Sequence, residues 1–217
     1  MERKKKLRDR KIREQEQRVD EILKAARKVF FSKGFMKTTM DEIAYEAAIS
    51  KPTIYKFFST KEDLYFSLIL PLMQECLHEM EEVNLQLQLN MFNSGEKLLR
   101  SVMNVFFKKY TENPDLFRIG QLYQQAVMLW TIDKKTENSI KELSRSVMDE
   151  MRSLLDSAVT RGFIRDVNRS VLTDIILGSI IGITQLQDAK SRGLDENSIE
   201  PVIHMTMNLF SDAITLK

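Results

Sequence analysis

Residues 50 to 61 gather the side chains with most to offer a partner: Lys51, Thr53, Tyr55, Lys56 and Lys61, in a run that opens Ser-Lys-Pro-Thr. Ammonium and hydroxyl groups crowded into so short a stretch suit contact with phosphate oxygens and base edges rather than bond making or breaking. The residues that usually carry catalysis are sparse. There are two histidines, His78 and His204, far apart in sequence, and one cysteine, Cys76. Cys76 and His78 stand two positions apart, so on a helix they do not share a face. The chain has no phosphate-cradling glycine motif, nucleophile elbow or HExxH zinc motif. The expectation is therefore no enzyme, no metal and no cofactor.

The elements that must position these groups have readable ends. Thr39 precedes Glu42 by three residues, the spacing of a capping box that satisfies two orphan backbone donors. Ile43, Ala44 and Ala47 then share one helical face. Ser50 reads as the next N-cap, with Pro52 in the first turn where its missing N–H costs nothing. Ile54, Phe57 and Phe58 supply the apolar side of that second helix and leave Lys51, Thr53, Tyr55 and Lys56 outside. Ser59 and Glu62 repeat the capping box, which puts Lys61 in the first turn of a third helix. Two short helices with a tight turn between them, then a capped third, read as a helix-turn-helix that binds DNA. Helix N-termini favour phosphate, and neutralising phosphate releases counterions, giving affinity without sequence information.

Over residues 18 to 68 the chain resembles the TetR/AcrR family of bacterial transcriptional regulators. Ile22-Leu23-x-Ala25-Ala26-x-x-Val29-Phe30-x-x-x-Gly34-Phe35 looks like the family's first helix and the glycine that ends it. Thr38-Thr39-x-x-x-Ile43-Ala44 looks like its second helix. Ser50-Lys51-Pro52-Thr53-Ile54-Tyr55-x-x-Phe58-x-x-Lys61-Glu62-x-Leu64 looks like its recognition helix and the entry to its fourth. The resemblance implies phosphate contacts from Thr39, Tyr55 and Lys61 and base-edge contacts from Lys51, Pro52 and Thr53, with Lys56 able to serve either purpose. Ala48 stands where the family usually has glycine. A left-handed conformation costs alanine about 1 kcal/mol, so a slightly re-shaped turn is expected.

Charge is unevenly divided. Residues 1 to 67 hold 17 Lys/Arg against 11 Asp/Glu, and the remainder 16 against 20. A basic front and a mildly acidic back fit one region that meets DNA and one that does not. Residues 1 to 15 carry Arg3, Lys4, Lys5, Lys6, Arg8, Arg10, Lys11 and Arg13. They read either as an arm that tracks phosphates or enters a minor groove, or as a solvated extension of the first helix. One cysteine excludes a disulfide framework. The charged start lacks the apolar core of a secretory signal, and Ile175 to Ile183 is short of the roughly 20 residues a membrane span needs. A cytoplasmic protein with no membrane partner is the expectation.

Four prolines and seven glycines, nearly all at element ends, point to an all-α chain. Pro71 predicts a kink or break near Leu70 in the helix that begins at Lys61. Further helices are predicted from Asn93 and Glu96 to Glu112, from Asn113-Pro114-Asp115 to Trp130, and from after Asp133 to Arg161, with Gly162 as cap. Two more span about 169 to 191 and 199 to 216, the last capped by Ser198. That gives nine helices in two domains: a basic extension over 1–15, a three-helix helix-turn-helix domain over 16–68, and a helical domain over 69–217. The resemblance implies that this last domain binds an effector and dimerises. Gly178 and Gly182, four apart beside Ile181, suit close approach of two helices, with Met205 and Leu209 on the partner helix. Met73, Cys76, Leu77, Met80, Met103, Phe106, Phe107, Tyr110, Phe117, Tyr123 and Met128 suit an adaptable apolar pocket, although an ordinary helical core has the same composition. Tyr110, Tyr123, Gln124 and Gln125 are candidates to orient a ligand by hydrogen bonds, and Trp130 stands with the apolar set. The expected partners are a double-stranded DNA operator, a small, largely apolar effector and a second copy of the chain. The expected function is a homodimeric repressor. A ligand-responsive activator, or a dimeric interaction protein that no longer binds DNA, are the alternatives.

Overall fold

The computed structural model describes residues 2–126, 132–191 and 199–216. Among them ten helical segments are found: α1 Glu2–Lys33, α2 Met40–Glu46, α3 Lys51–Tyr55, α4 Lys61–Ser67, α5 Leu70–Gln88, α6 Gly95–Glu112, α7 Pro114–Ala126, α8 Lys134–Thr160, α9 Arg169–Ser191 and α10 Glu200–Ile214. The all-α architecture is as expected, and the count reaches nine when α4 and α5 are taken as one broken helix. The break falls at Leu68 and Ile69, just ahead of Pro71. Proline there has no N–H to give the carbonyl four residues back, and its ring crowds that carbonyl.

Several helix starts lie one residue from their predicted places. Thr60, not Ser59, caps α4: its hydroxyl accepts from the Asp63 N–H, and the Asp63 carboxylate accepts from the Thr60 N–H. Ser94, not Asn93, caps α6 through the Lys97 N–H. The register there is fixed by Gly95, where an added Cβ would lie 2.1 Å from the Phe163 carbonyl oxygen. That oxygen also accepts from the Leu216 N–H at 3.1 Å. The predicted cap Ser198 and the residues Met128 and Trp130 lie outside the described set.

The chain packs as two units. The first comprises Met1–Leu70 together with Leu122–Ile140. Its core uses the i, i+3, i+4, i+7 stripe of α1, Ile22, Ala25, Ala26, Val29 and Phe30, against Ile43, Ile54 and Leu64. Phe30, Phe35 and Tyr65 stack edge and face around the end of α1, and Tyr123 meets Phe66 edge-on at 5.5 Å. Membership of 122–140 in this unit was not foreseen from the sequence.

The second unit comprises Pro71–Gln121 and Lys141–Lys217. Its core is built from Met80, Leu98, Met103, Phe107, Met151, Leu154, Ile176 and Ile180. Buried polar groups tie its helices together. The Lys109 ammonium reaches Glu75 at 2.9 Å and Glu79 at 2.8 Å. Burial works against its charge, but the two carboxylates outweigh this and hold its pKa well above the usual lysine value. Asp188 accepts from the Tyr110 hydroxyl at 2.8 Å and from two nitrogens of Arg118. Arg169–Lys190 is 22 residues long and holds an 18-residue window of mean hydropathy 1.3, long and apolar enough to cross a membrane by length and composition, a span the stretch 175–183 did not reveal. Only 28% of that window is buried within the chain.

Candidate nucleic-acid interface

The interface is assembled in the first unit from the starts of α2, α3 and α4. In α2 both halves of the capping box form: Thr39 Oγ1 accepts from the Glu42 N–H, and Glu42 Oε2 accepts from the Thr39 N–H. Met40, Ile43 and Ala44 anchor the helix inward. The turn that follows keeps the left-handed geometry, with Ala48 at φ 53°, so the expected re-shaping does not occur. Alanine bears the strain of about 1 kcal/mol because the residues on both sides are fixed in helices. Ala48→Gly is expected to stabilise the chain by about 0.5 kcal/mol. Relief of that strain exceeds the extra unfolded-state entropy that glycine brings, and thermal unfolding will read the difference.

α3 is held by one deeply buried side chain, Ile54, with Phe58 behind it. Ser50 occupies the N-cap position, but its hydroxyl caps no backbone N–H and instead pairs with Thr53 Oγ1 at 2.8 Å. Lys51 forms an ion pair with Asp41 of α2 at 2.7 Å. The hydrogen bond to that carboxylate raises the Lys51 pKa. Pro52, Tyr55 and Lys56 are exposed, with Tyr55 at 45%. Lys56 has no ion-pair partner among the described residues.

Lys61 is placed differently from a simple surface cation. Its ammonium donates to the carbonyl oxygens of Phe35 and Thr38, each at 3.0 Å, and stands 4.3 Å from the Phe35 ring centre. An ammonium has three donors, so one remains for a phosphate. Lys51, Thr53 and Lys61 thus have intramolecular partners in the free chain, and Thr39 is engaged in its cap. DNA would have to exchange or share those bonds. Sequence reasoning missed Asp41, Phe35 and Thr38 as the groups that pre-orient the lysines. Nothing local marks them, since they lie 10 to 26 positions away.

The first unit matches the family model described as bacterial regulatory proteins of the tetR family, over residues 22–68. An uncharacterized HTH-type transcriptional regulator of Bacillus subtilis, YhgD, is 26% identical over 189 residues, 85% of this chain and 91% of that protein. Residues 22–68 are thus a DNA-binding domain of the TetR type. The HTH-type transcriptional repressor NicS of Pseudomonas putida is 25% identical over 147 residues, 68% of this chain and 66% of NicS. FadR of Bacillus subtilis, solved in complex with stearoyl-CoA, superposes with a TM-score of 0.66 at 20% identity, covering 87% of this chain and 95% of that one. The chain is thus a transcriptional regulator with a DNA-binding helix-turn-helix, and its relatives are regulators rather than enzymes.

In the regulator's second unit, Cys76, Met80, Met103, Phe106, Phe107 and Tyr110 are buried, with Met73, Leu77 and Phe117 partly so. Burial pushes the Cys76 thiol up to about 11, so it is no nucleophile. The Tyr110 hydroxyl is committed to Asp188. Burial first, and that carboxylate second, raise the Tyr110 phenol to about 12. Tyr123 is buried in the first unit instead, and Met128 and the side chains of Gln124 and Gln125 lie outside the described residues. On α9 and α10, Gly178 and Gly182 are exposed, and an added Cβ at either would meet nothing within 4 Å. Val171, Ile175 and Leu186 extend that stripe along α9, while Val202, Met205 and Leu209 line α10, each at least 41% exposed. Ile181 is partly buried beside it.

Proposed function

We propose that the chain is a homodimeric repressor that holds a pseudo-palindromic DNA operator with α3 of each copy and releases it when a small, largely apolar effector binds. The observation that carries the DNA side is the outward set Lys51, Pro52, Thr53, Tyr55 and Lys56 on a helix anchored by a single buried face. Lys51, Pro52 and Thr53 are assigned to base edges, Thr39, Tyr55 and Lys61 to phosphates, and Lys56 to either. Two recognition helices in successive major grooves set half-sites about 34 Å apart or slightly more. Such a protein acts in the cytoplasm, where the DNA is.

Dimerisation is supported by the exposed apolar stripes of α9 and α10. Large contiguous apolar surface on a single chain marks an interaction site, and a two-fold pairing buries the same stripe on both copies. The effector would enter among the soft side chains of the second unit, Met73, Cys76, Leu77, Met80, Met103, Phe106, Phe107, Tyr110 and Phe117. What supports an apolar effector is that composition; FadR, of the same fold, was solved with an acyl-CoA. Repression follows the sense of NicS. The effector must bind the DNA-incompetent state better than the competent one, or it shifts nothing.

The test uses an operator obtained by in vitro selection. Lys61→Ala is expected to weaken binding to all sequences, lower the salt slope and destabilise the chain by about 2 kcal/mol, because two carbonyls lose a charged donor. Thr53→Ala should instead relax preference at one operator position, costing about 1–3 kcal/mol of discrimination there and little on scrambled DNA. Equal losses on selected and scrambled duplexes for both variants would defeat the division into phosphate and base contacts.

A further inference from the structure

Helix α1 begins twenty residues before the chain's first buried side chain. Residues 5 to 18 are exposed throughout, and core contact starts at Ile22, where the family model also begins. The extension is therefore no part of the helix-turn-helix module, yet it is helical from Glu2. The core portion of α1 supplies the costly nucleus, and the pairs Glu2–Lys6, Arg10–Glu14 and Arg18–Glu21 support the rest. About 25 Å of rigid rod results.

Its charges are unevenly placed. Arg8, Lys11, Gln15 and Arg18 recur at helical spacing on one face, while the opposite face mixes Asp9, Glu16 and Asp20 with Lys5 and Arg13. Residues 2 to 18 hold nine Lys/Arg against four Asp/Glu, a larger excess than the +2 of the whole chain. Lys5, Arg8, Lys11 and Arg13 form no ion pair among the described residues. The only aliphatic residues in the stretch, Leu7 and Ile12, are exposed and lie on different faces. That leaves no apolar face for a membrane surface or a groove in a partner protein. A polyanion is the ligand this face fits.

We infer that the α1 extension is a second DNA-binding element, in which the Arg8–Lys11 face lies along the phosphate backbone beside the operator. This rests on the DNA-binding reading above. A helix about 10 Å across does not fit a minor groove about 6 Å wide, so the contact is to phosphates and independent of sequence. The rod is already ordered in the free chain, so docking costs little conformational entropy.

The test compares Arg8→Gln/Lys11→Gln with Lys5→Gln/Arg13→Gln, two variants of equal charge change on different faces, with glutamine preserving helix propensity. Binding of the full chain to a mixed-sequence duplex and to the selected operator is followed across salt concentration, with circular dichroism confirming equal helix content. The first variant is expected to lower the salt slope by about 2 per copy, at about 0.9 for each phosphate left unneutralised, on both duplexes alike. The second should match the unaltered chain. Unchanged slopes for both variants, or equal losses from both, would overturn the inference while leaving operator binding by α3 intact. An unaltered chain that binds no duplex would sink the DNA-binding reading itself.

Discussion

Leu209→Asp is expected to yield a monomer that has lost at least about 100-fold in operator affinity. In the single chain Leu209 is 62% exposed, so a carboxylate there costs the protomer's own fold almost nothing. In the proposed two-fold interface the same carboxylate is buried without a partner, at about 3–5 kcal/mol, and symmetry places two of them in one contact. The loss in DNA affinity follows because each copy would hold one half-site alone, without the high effective concentration that linkage gives the second. Native mass spectrometry reads the first effect directly: the unaltered chain near twice 25.4 kDa and the variant at 25.4 kDa. The unaltered protein also carries the search for an effector, since mild activation would release a bound small molecule from it. A variant that stays dimeric with unchanged operator affinity would move the interface away from the Gly178, Gly182, Met205 and Leu209 stripes. The apolar excess of α9 needs a cover, and a second copy of the chain is the one proposed.

How far the sequence could be read depends on the range of the interaction. The capping box at Thr39 and Glu42 is local, three residues wide, and was legible at once. At Ser59-Thr60-Lys61-Glu62-Asp63 the same rule offers two registers, Ser59 with Glu62 or Thr60 with Asp63. The choice is made by an interaction 70 positions away, where Asp63 accepts from the Asp133 N–H. Asn93 and Ser94 posed the same ambiguity, settled by the backbone of Phe163 pressing on Gly95. Pro71 announced the break after α4 because proline acts on its own turn. Lys61 was legible as a cation near the module, but its turn toward the Phe35 and Thr38 carbonyls was not. The apolar residues of the second unit were readable as core or pocket and no further, since both demand the same side chains.

Asp63→Ala is expected to destabilise the first unit by about 3 kcal/mol, the largest effect on stability among these substitutions. Asp63 is fully buried, and both of its oxygens are used. Oδ2 accepts from the Thr60 N–H at 2.9 Å and so completes the capping box that starts α4. Oδ1 accepts from the Asp133 N–H at 2.6 Å, next to the start of α8. Alanine removes both acceptors and leaves two backbone donors unsatisfied, at about 1–3 kcal/mol for each one shut away from water, with the cap itself worth about 1 kcal/mol. Asparagine is a weaker remedy than its shape suggests, because its NH2 would face an N–H where an oxygen is required. Glu62→Ala is the informative contrast. Glu62 sits in the first turn and is only half-buried, so its loss is expected to cost less than about 1 kcal/mol through the helix dipole. Denaturant unfolding compares the two energies, and hydrogen exchange localises them, with Thr60 and Asp133 amides losing protection in Asp63→Ala alone. Were Glu62→Ala to cost as much as Asp63→Ala, the cap would run from Ser59 and the link to Asp133 would carry no stability. The expected ordering instead makes one buried carboxylate set both the start of α4, six residues beyond the end of α3, and the position of the residue that precedes α8.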